Sequence, residues 1–210
     1  LRAESYAALM EAANAQGLPV DGHVPDSVGL IGAIEAGQRT VEHLDLSAFV
    51  TCGAGDELDF NNFLAVRFGQ GLGPYLELAG NFWTHIDWSE CGPALEALSA
   101  RGGAVTPTLV MEVRDRSRVP ERMLADLNAQ QREWCEQGLA EFDAVDDAVR
   151  ERYFDALFAA VRKLDESGVT LLAGTDTPNH CIAPAVSLSV ELERLTEAGL
   201  SPLSVLQSAT

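Results

Sequence analysis

The sequence predicts an α/β fold in which parallel strands alternate with helices, and three observations carry that expectation. The run Val169-Thr170-Leu171-Leu172-Ala173-Gly174 is apolar, lacks internal charge, and stops at a glycine with Thr175-Asp176 just beyond it. That is the pattern of a buried parallel strand whose carboxyl end opens onto a site. Two earlier segments repeat the design with histidine at the end: Leu18-Pro19-Val20-Asp21-Gly22-His23 and Arg39-Thr40-Val41-Glu42-His43. Between His23 and His43 a strand–helix–strand crossover fits in about 20 residues, near the minimum for a parallel connection and right-handed by the usual rule.

From Glu4 to Gln16, Tyr6, Leu9, Met10 and Ala13 recur at helical spacing, and Gly17 stands where a C-terminal cap belongs. A strand at 18–22 follows. Asp26 or Ser27 can cap a short helix over 28–35 that ends at Gly37, ahead of a strand at 40–44. Over 47–88 the pattern loosens into Gly-rich and aromatic pieces, which read as an insertion or lid. A helix over 92–100 stops at Gly102. In the next strand, 104–110, Pro107 marks an end or an edge. Two long amphipathic helices are expected at 120–142 and 146–167, with Pro120 near the start of the first. Gly168 closes the second and launches the last strand. A helix at 185–198 and another capped by Ser201 complete the chain.

Four strands separated by helices, without internal repeat, imply a parallel sheet. Four parallel strands with two open edges make a poor free-standing domain. A closed barrel of eight such units needs about 250 residues. The expected architecture is therefore half of a TIM-like (β/α)8 barrel, its C-terminal half, filling residues 1–210. The insertion at 47–88 falls between its second and third strands, and the N-terminal half lies outside this sequence.

With 210 residues, 47% hydrophobic and 22% charged, the composition is that of an ordinary globular protein. No run approaches the ~18 apolar residues of a membrane span, and no signal-peptide pattern is visible. The chain does not open with methionine, so its natural amino terminus is expected to lie upstream and the compartment is left open, with the cytoplasm favoured. Fourteen basic residues stand against 32 acidic ones, a net charge of −18. A nucleic-acid partner needs clustered Lys and Arg and is not expected. Cys52, Cys91, Cys135 and Cys181 are widely spaced and form no C-x-x-C, which suggests small buried hydrophobes. Oligomeric state leaves no mark, and a homo-oligomer stays open.

A histidine, a second histidine and an aspartate at three strand ends suggest a metal-dependent hydrolase, because neutral imidazole and carboxylate suit zinc and similar ions. Here the sequence resembles the amidohydrolase superfamily, in its imidazolonepropionase-like and prolidase-like branch. The matching stretches are Gly17-Leu-Pro-Val-Asp-Gly-His-Val, Ala33-Ile-Glu-Ala-Gly with Val41-Glu-His-Leu, and Val105-Thr-Pro-Thr-Leu. Further matches are Gly168-Val-Thr-Leu-Leu-Ala-Gly-Thr-Asp-Thr and Glu191-Leu-Glu-Arg-Leu-Thr-Glu-Ala-Gly-Leu-Ser-Pro, running into Ser208-Ala-Thr. They keep the family's order and span nearly the whole chain outside 47–88.

The resemblance implies that these residues cover strands 5–8 of the family's barrel, with the N-terminal half and a flanking β-sandwich absent. It implies His23 as the strand-5 metal ligand, His43 as the strand-6 ligand or water-orienting histidine, and Asp176 as the strand-8 aspartate. Asp176 would touch metal and shuttle a proton from the attacking water to the leaving nitrogen. The implied cofactor is one or two divalent ions, Zn2+ above all. The implied reaction is hydrolysis of a C–N bond, other than an ordinary peptide bond, in a cyclic amide or small peptide-like substrate. The family's strand-1 His-x-His pair and strand-4 lysine have no match. The single lysine, Lys163, lies on the helix before the last strand. The chain alone is therefore expected to bind metal weakly and to show little activity.

His180, four residues past Asp176, and Thr108, at the end of the 104–110 strand, are candidates for substrate contact. His85 reads as structural or surface. Glu42 points away from its neighbour His43, which suits a supporting role. Ser27, Ser47 and Ser187 lack a G-x-S-x-G setting. Arg114, Arg116 and Arg118 could hold a substrate carboxylate or form a solvated loop. Two other readings stay open: deamination or ester cleavage on the same barrel, since fold does not fix the reaction, and a non-catalytic remnant acting as a binding or scaffold piece.

Overall fold

A computed structural model describes residues 1–53, 66, 69–113 and 115–210. Helix α1 (Ala3–Ala15) leads through an extended stretch to α2 (Gly29–Glu35), strand β1 (Thr40–Glu42), and α3 (Leu46–Phe49) with a 3-10 turn (Val50–Cys52). Then come α4 (Leu72–His85), α5 (Trp88–Ala100), β2 (Ala104–Thr106), α6 (Leu109–Glu112) and α7 (Glu121–Ala125). Helices α8 (Ala129–Asp143) and α9 (Asp147–Glu166), strand β3 (Thr170–Leu171), α10 (Val186–Glu197) and α11 (Pro202–Gln207) complete the order.

Local chemistry sets many of these boundaries. Asp45, Asp87 and Asp146 each accept a hydrogen bond from the backbone N–H two residues on, satisfying donors that the first helical turn leaves free. Asn128 and Gln131 form a reciprocal capping box that starts α8. Ser201 caps α11, with Pro202 at a position where its missing N–H costs nothing.

The three strands pair in parallel in the order β1-β2-β3, with Val41 beside Val105 and Val105 beside Leu171. The main core joins this sheet to the helices through Leu30, Phe49, Phe82, Leu98, Phe154 and Leu157, all buried. Helices α4 and α9 pack closely at Gly80, where an added Cβ would come within 3.3 Å of the Tyr153 backbone. A second cluster, with Val110, Met123, Leu139, Ile182 and Val190, underlies the loop that follows Asp176.

The half-barrel does not form. Among the described residues the chain is mostly helical, with a small three-stranded parallel sheet rather than four barrel strands. The 18–22 stretch is no strand: Pro19 has no N–H to give, and its backbone meets the segment at 39–42 through Arg39 N–H to the Val20 carbonyl (2.8 Å) and Glu42 N–H to that of Gly22 (3.4 Å). Pro107 ends β2, and the chain turns directly into α6. The expected 120–142 helix breaks at 126–128, where Asn128 caps a new start.

The described part of the expected lid is core instead. Phe49 and Phe82 are fully buried and Trp83 nearly so, with the Phe49 ring edge-on to Trp83 at 4.9 Å. Residues 54–65 and 67–68 of that expected insertion, and Arg114, lie outside the described residues.

The cysteines are buried as expected but paired. Cys52–Cys91 joins the 3-10 turn to α5, and Cys135–Cys181 joins α8 to the loop after Asp176. Their separations of 39 and 46 residues gave the sequence no local signal. No helix among the described residues is long and apolar enough to cross a membrane.

Candidate functional site

At the carboxyl ends of the three strands stand His43, Thr108 and Asp176. All three have left-handed backbone, with φ of 64°, 53° and 50°. Non-glycine residues pay of order 1–3 kcal/mol for such conformations, which gather where a side chain must be aimed. Gly174 permits the approach of the third strand end, since a Cβ there would collide with Thr106 Cγ2.

His43 is buried at the base of this group, its N–H donating to the Thr106 carbonyl at 2.8 Å. Its Nδ1 lies 2.9 Å from Thr108 Oγ1, whose own hydroxyl donates to the Thr106 carbonyl at 3.3 Å. A hydroxyl that donates there can accept from His43 Nδ1–H, which would leave the lone pair of the neutral ring on Nε2. Nε2 faces Asp176 Oδ2 at 4.0 Å.

Asp176 is half exposed and is steadied by Asn179 Nδ2, which donates to its Oδ2 at 3.3 Å. His23 is exposed, with its ring centroid 4.7 Å from that of His43. A deep Gln38 sets this neighbour in place: its Nε2 donates to the carbonyls of Gly22 and Thr40, while its Oε1 accepts from Tyr6.

The donor types are those of zinc. Bonds of about 2.0–2.2 Å to nitrogen and oxygen would together reach across the 4.0 Å gap. Among the described residues, however, no group of three His, Cys, Asp or Glu is arranged to hold an ion. His43 and Asp176 are thus two facing donors, not a complete cage.

Of the other sequence candidates, Thr108 belongs to this cluster as a partner of His43, and the rest have partners of their own. His180 packs against Trp134 of α8, the rings tilted with centroids 4.2 Å apart, and it lies against Gly138. Thr108, 1% exposed, touches His43 rather than open space. His85 Nδ1 bonds the Asn81 carbonyl at the end of α4, and Glu42 accepts from Thr40. Arg116 pairs with Glu136 and Asp143, and Arg118 with Glu151 and Glu197, so neither is left for a substrate carboxylate. Lys163 pairs on the surface with Glu166.

Sequence reasoning missed Asn179 and Glu191. Glu191 is fully buried on α10, and its Oε2 accepts from Val110 N–H at 2.6 Å. A signal for it existed. Ser187, Val190, Glu191, Arg194 and Leu195 share the buried face of α10, so a carboxylate sits where the helical stripe calls for apolar groups. Burial pushes this carboxyl up to about 7, while Val110 N–H, Leu109 N–H and the charge of Arg194 pull the other way.

Between the ordinary 4.5 and about 7 the folded protein holds a proton that the unfolded chain has released. Stability conferred by this group is therefore full below that window, falls as pH rises through it, and is level above it. Glu191→Gln should remove the slope. Urea unfolding at pH 5 and pH 8 should show the variant gaining on the wild type by roughly 2 kcal/mol at the higher pH; an equal gap at both would refute the assignment.

No protein-family model matches the chain, and no curated protein does. A solved structure named bottromycin amidohydrolase is similar to it, with a TM-score of 0.67 and 28% sequence identity. The likeness covers 100% of this chain and 43% of that one. The chain therefore spans less than half the length of this neighbour, and its fold is amidohydrolase-like.

Proposed function

We propose that this chain carries the histidine–aspartate part of a hydrolase that cleaves the C–N bond of a cyclic amide or small peptide-like substrate. One observation carries the reading: His43 Nε2 and the Asp176 carboxylate face each other across 4.0 Å at the mouth of the sheet. The likeness to an amidohydrolase supports it.

Asp176 is exposed enough to meet substrate and is held from behind by Asn179. Its free oxygen can take a proton from an attacking water and return it to the leaving nitrogen, within hydrogen-bond reach of both. His43, with Nδ1 engaged by Thr108, orients the nucleophile or a cation through Nε2. In this proposal His23, His43 and Asp176 are the chain's contribution to a divalent-ion site, zinc by its donor types. Such an ion would lower the pKa of bound water from about 15.7 toward 7 and polarise the carbonyl.

Because the described residues offer only two facing donors, the 210-residue chain should hold zinc weakly. After dialysis against metal-free buffer, elemental analysis should find well under one ion per chain. A tightly held, stoichiometric ion would overturn the incomplete-site reading.

The function itself is tested on the natural full-length protein with cyclic amides and small peptide-like amides, beside matched esters and amidines. Amide hydrolysis is expected. Activity confined to esters or amidines, or none on any substrate, would overturn the assignment.

A further inference from the structure

Thr108 occupies the residue before α6 from which a side chain would ordinarily cap the helix, yet it makes no such bond. Its hydroxyl is engaged by His43 and the Thr106 carbonyl instead. The first turn of α6 would then be left with free N–H groups in a buried place, which is costly. A residue 81 positions away fills the gap: Glu191 Oε2 accepts from Val110 N–H at 2.6 Å.

The rest of the Glu191 environment argues against a simple core ion pair. Arg194, one turn on, donates to Glu197 and to the Arg118 carbonyl. Among the described residues Glu191 Oε1 has no hydrogen-bond partner, and neither has Arg194 Nε. A buried carboxyl retained with one oxygen unmatched is expensive, and leucine would fill an apolar helix face more cheaply. What Glu191 does that leucine cannot is accept the Val110 N–H in the first turn after Thr108.

We infer that Glu191 is a positioning residue: by taking over the cap of α6 it frees the Thr108 hydroxyl for His43 and so fixes which ring nitrogen of His43 bears the proton. The chain of contacts is continuous. Glu191 holds Val110 and so the first turn of α6, that turn holds Thr108 in its left-handed conformation, and Thr108 Oγ1 accepts Nδ1–H. Nε2 is thereby kept unprotonated toward Asp176. Without Glu191, the Thr108 hydroxyl becomes the nearest group able to cap α6, the His43 bond is lost, and the ring is free to adopt the other tautomer.

This inference rests on the proposed role of His43, but its test does not use activity, so the two can fail separately. The histidine ring nitrogens of the 15N-labelled 210-residue protein are observed by long-range proton–nitrogen correlation at pH 8 with chelator present. His43 is assigned by loss of its signals in His43→Gln. In the wild type, Nε2 should resonate as an unprotonated nitrogen and Nδ1 as a protonated one.

In Thr108→Val and in Glu191→Ala the His43 Nε2 signal should shift toward the protonated position. In Glu191→Gln, whose amide oxygen can still accept from Val110, it should stay where it was. If Glu191→Ala fails to fold, Glu191→Asp retracts the acceptor by one methylene with less lost volume and should give the same shift. His23, His85 and His180 should not move in any variant. An unshifted His43 in a folded Glu191→Ala or Glu191→Asp protein would overturn the inference, as would a wild-type His43 carrying its proton on Nε2.

Discussion

Replacing Asp176 by Asn should lower amide hydrolysis by the full-length protein by roughly 10²–10⁴, the range expected when a positioned acid–base group is removed. Asparagine keeps the size of the side chain. It also tolerates the left-handed backbone that Asp176 adopts at φ 50°, so the loss would be chemical rather than structural. The amide cannot accept a proton from water, and it faces the His43 lone pair with a weaker acceptor or with an N–H. Melting should therefore be unchanged while turnover falls, with a smaller effect on KM than on kcat. An Asp176→Asn protein within a few-fold of wild-type turnover would remove Asp176 from the chemistry. The same variant with a much lower melting temperature would mean that the carboxylate is structural.

Reduction of the disulfides should have the largest effect on stability. In the chain-entropy account, closing loops of 39 and 46 residues stabilises the fold by about 4 kcal/mol each, with 2–4 kcal/mol typical in practice. The two bonds should differ in what else they do. Cys52–Cys91 ties two core elements away from the strand ends, whereas Cys135–Cys181 fastens the loop that contains Asn179, the residue steadying Asp176.

Cys52→Ser/Cys91→Ser and Cys135→Ser/Cys181→Ser should thus lose comparable stability in urea. Only the second should speed hydrogen exchange across 177–186. Equal exchange in that loop for both variants would show that Cys135–Cys181 does not hold the site. Unchanged stability under reductant would show that the bonds do not form in solution.

The strand ends are legible in the sequence because their signal is local: an apolar run, a stop, and a chemical group just past it. His43 and Asp176 are found this way, within a few residues of the elements that aim them. The extent of the sheet is not legible, because pairing depends on what lies alongside. Leu18–Gly22 has strand-like residues, but Pro19 withholds a donor, and Leu18 is left more than half exposed.

Helix α4 misleads in the opposite direction. Gly73, Pro74 and Gly80 suggest a loop, but Pro74 falls in the first turn, where its missing N–H is harmless. Leu76, Ala79 and Trp83 line up on one buried face, and burial outweighs the propensity cost of the glycine. Glu191 and the two cysteine pairs depend on contacts 39 to 81 residues apart, for which no short pattern exists.

The left-handed backbone shared by His43, Thr108 and Asp176 puts durability and usefulness in conflict at the same three positions. Glycine at any of them would relax the main chain and remove the very side chain the bend presents. At Thr108 glycine would also empty a buried site and leave His43 Nδ1 without its partner, whereas half-exposed Asp176 has less packing to lose. A selection for heat resistance alone should therefore drift toward Asp176→Gly, and one for turnover should reject that change. Lineages under different pressures would come to differ first at the mouth of the sheet rather than in its core.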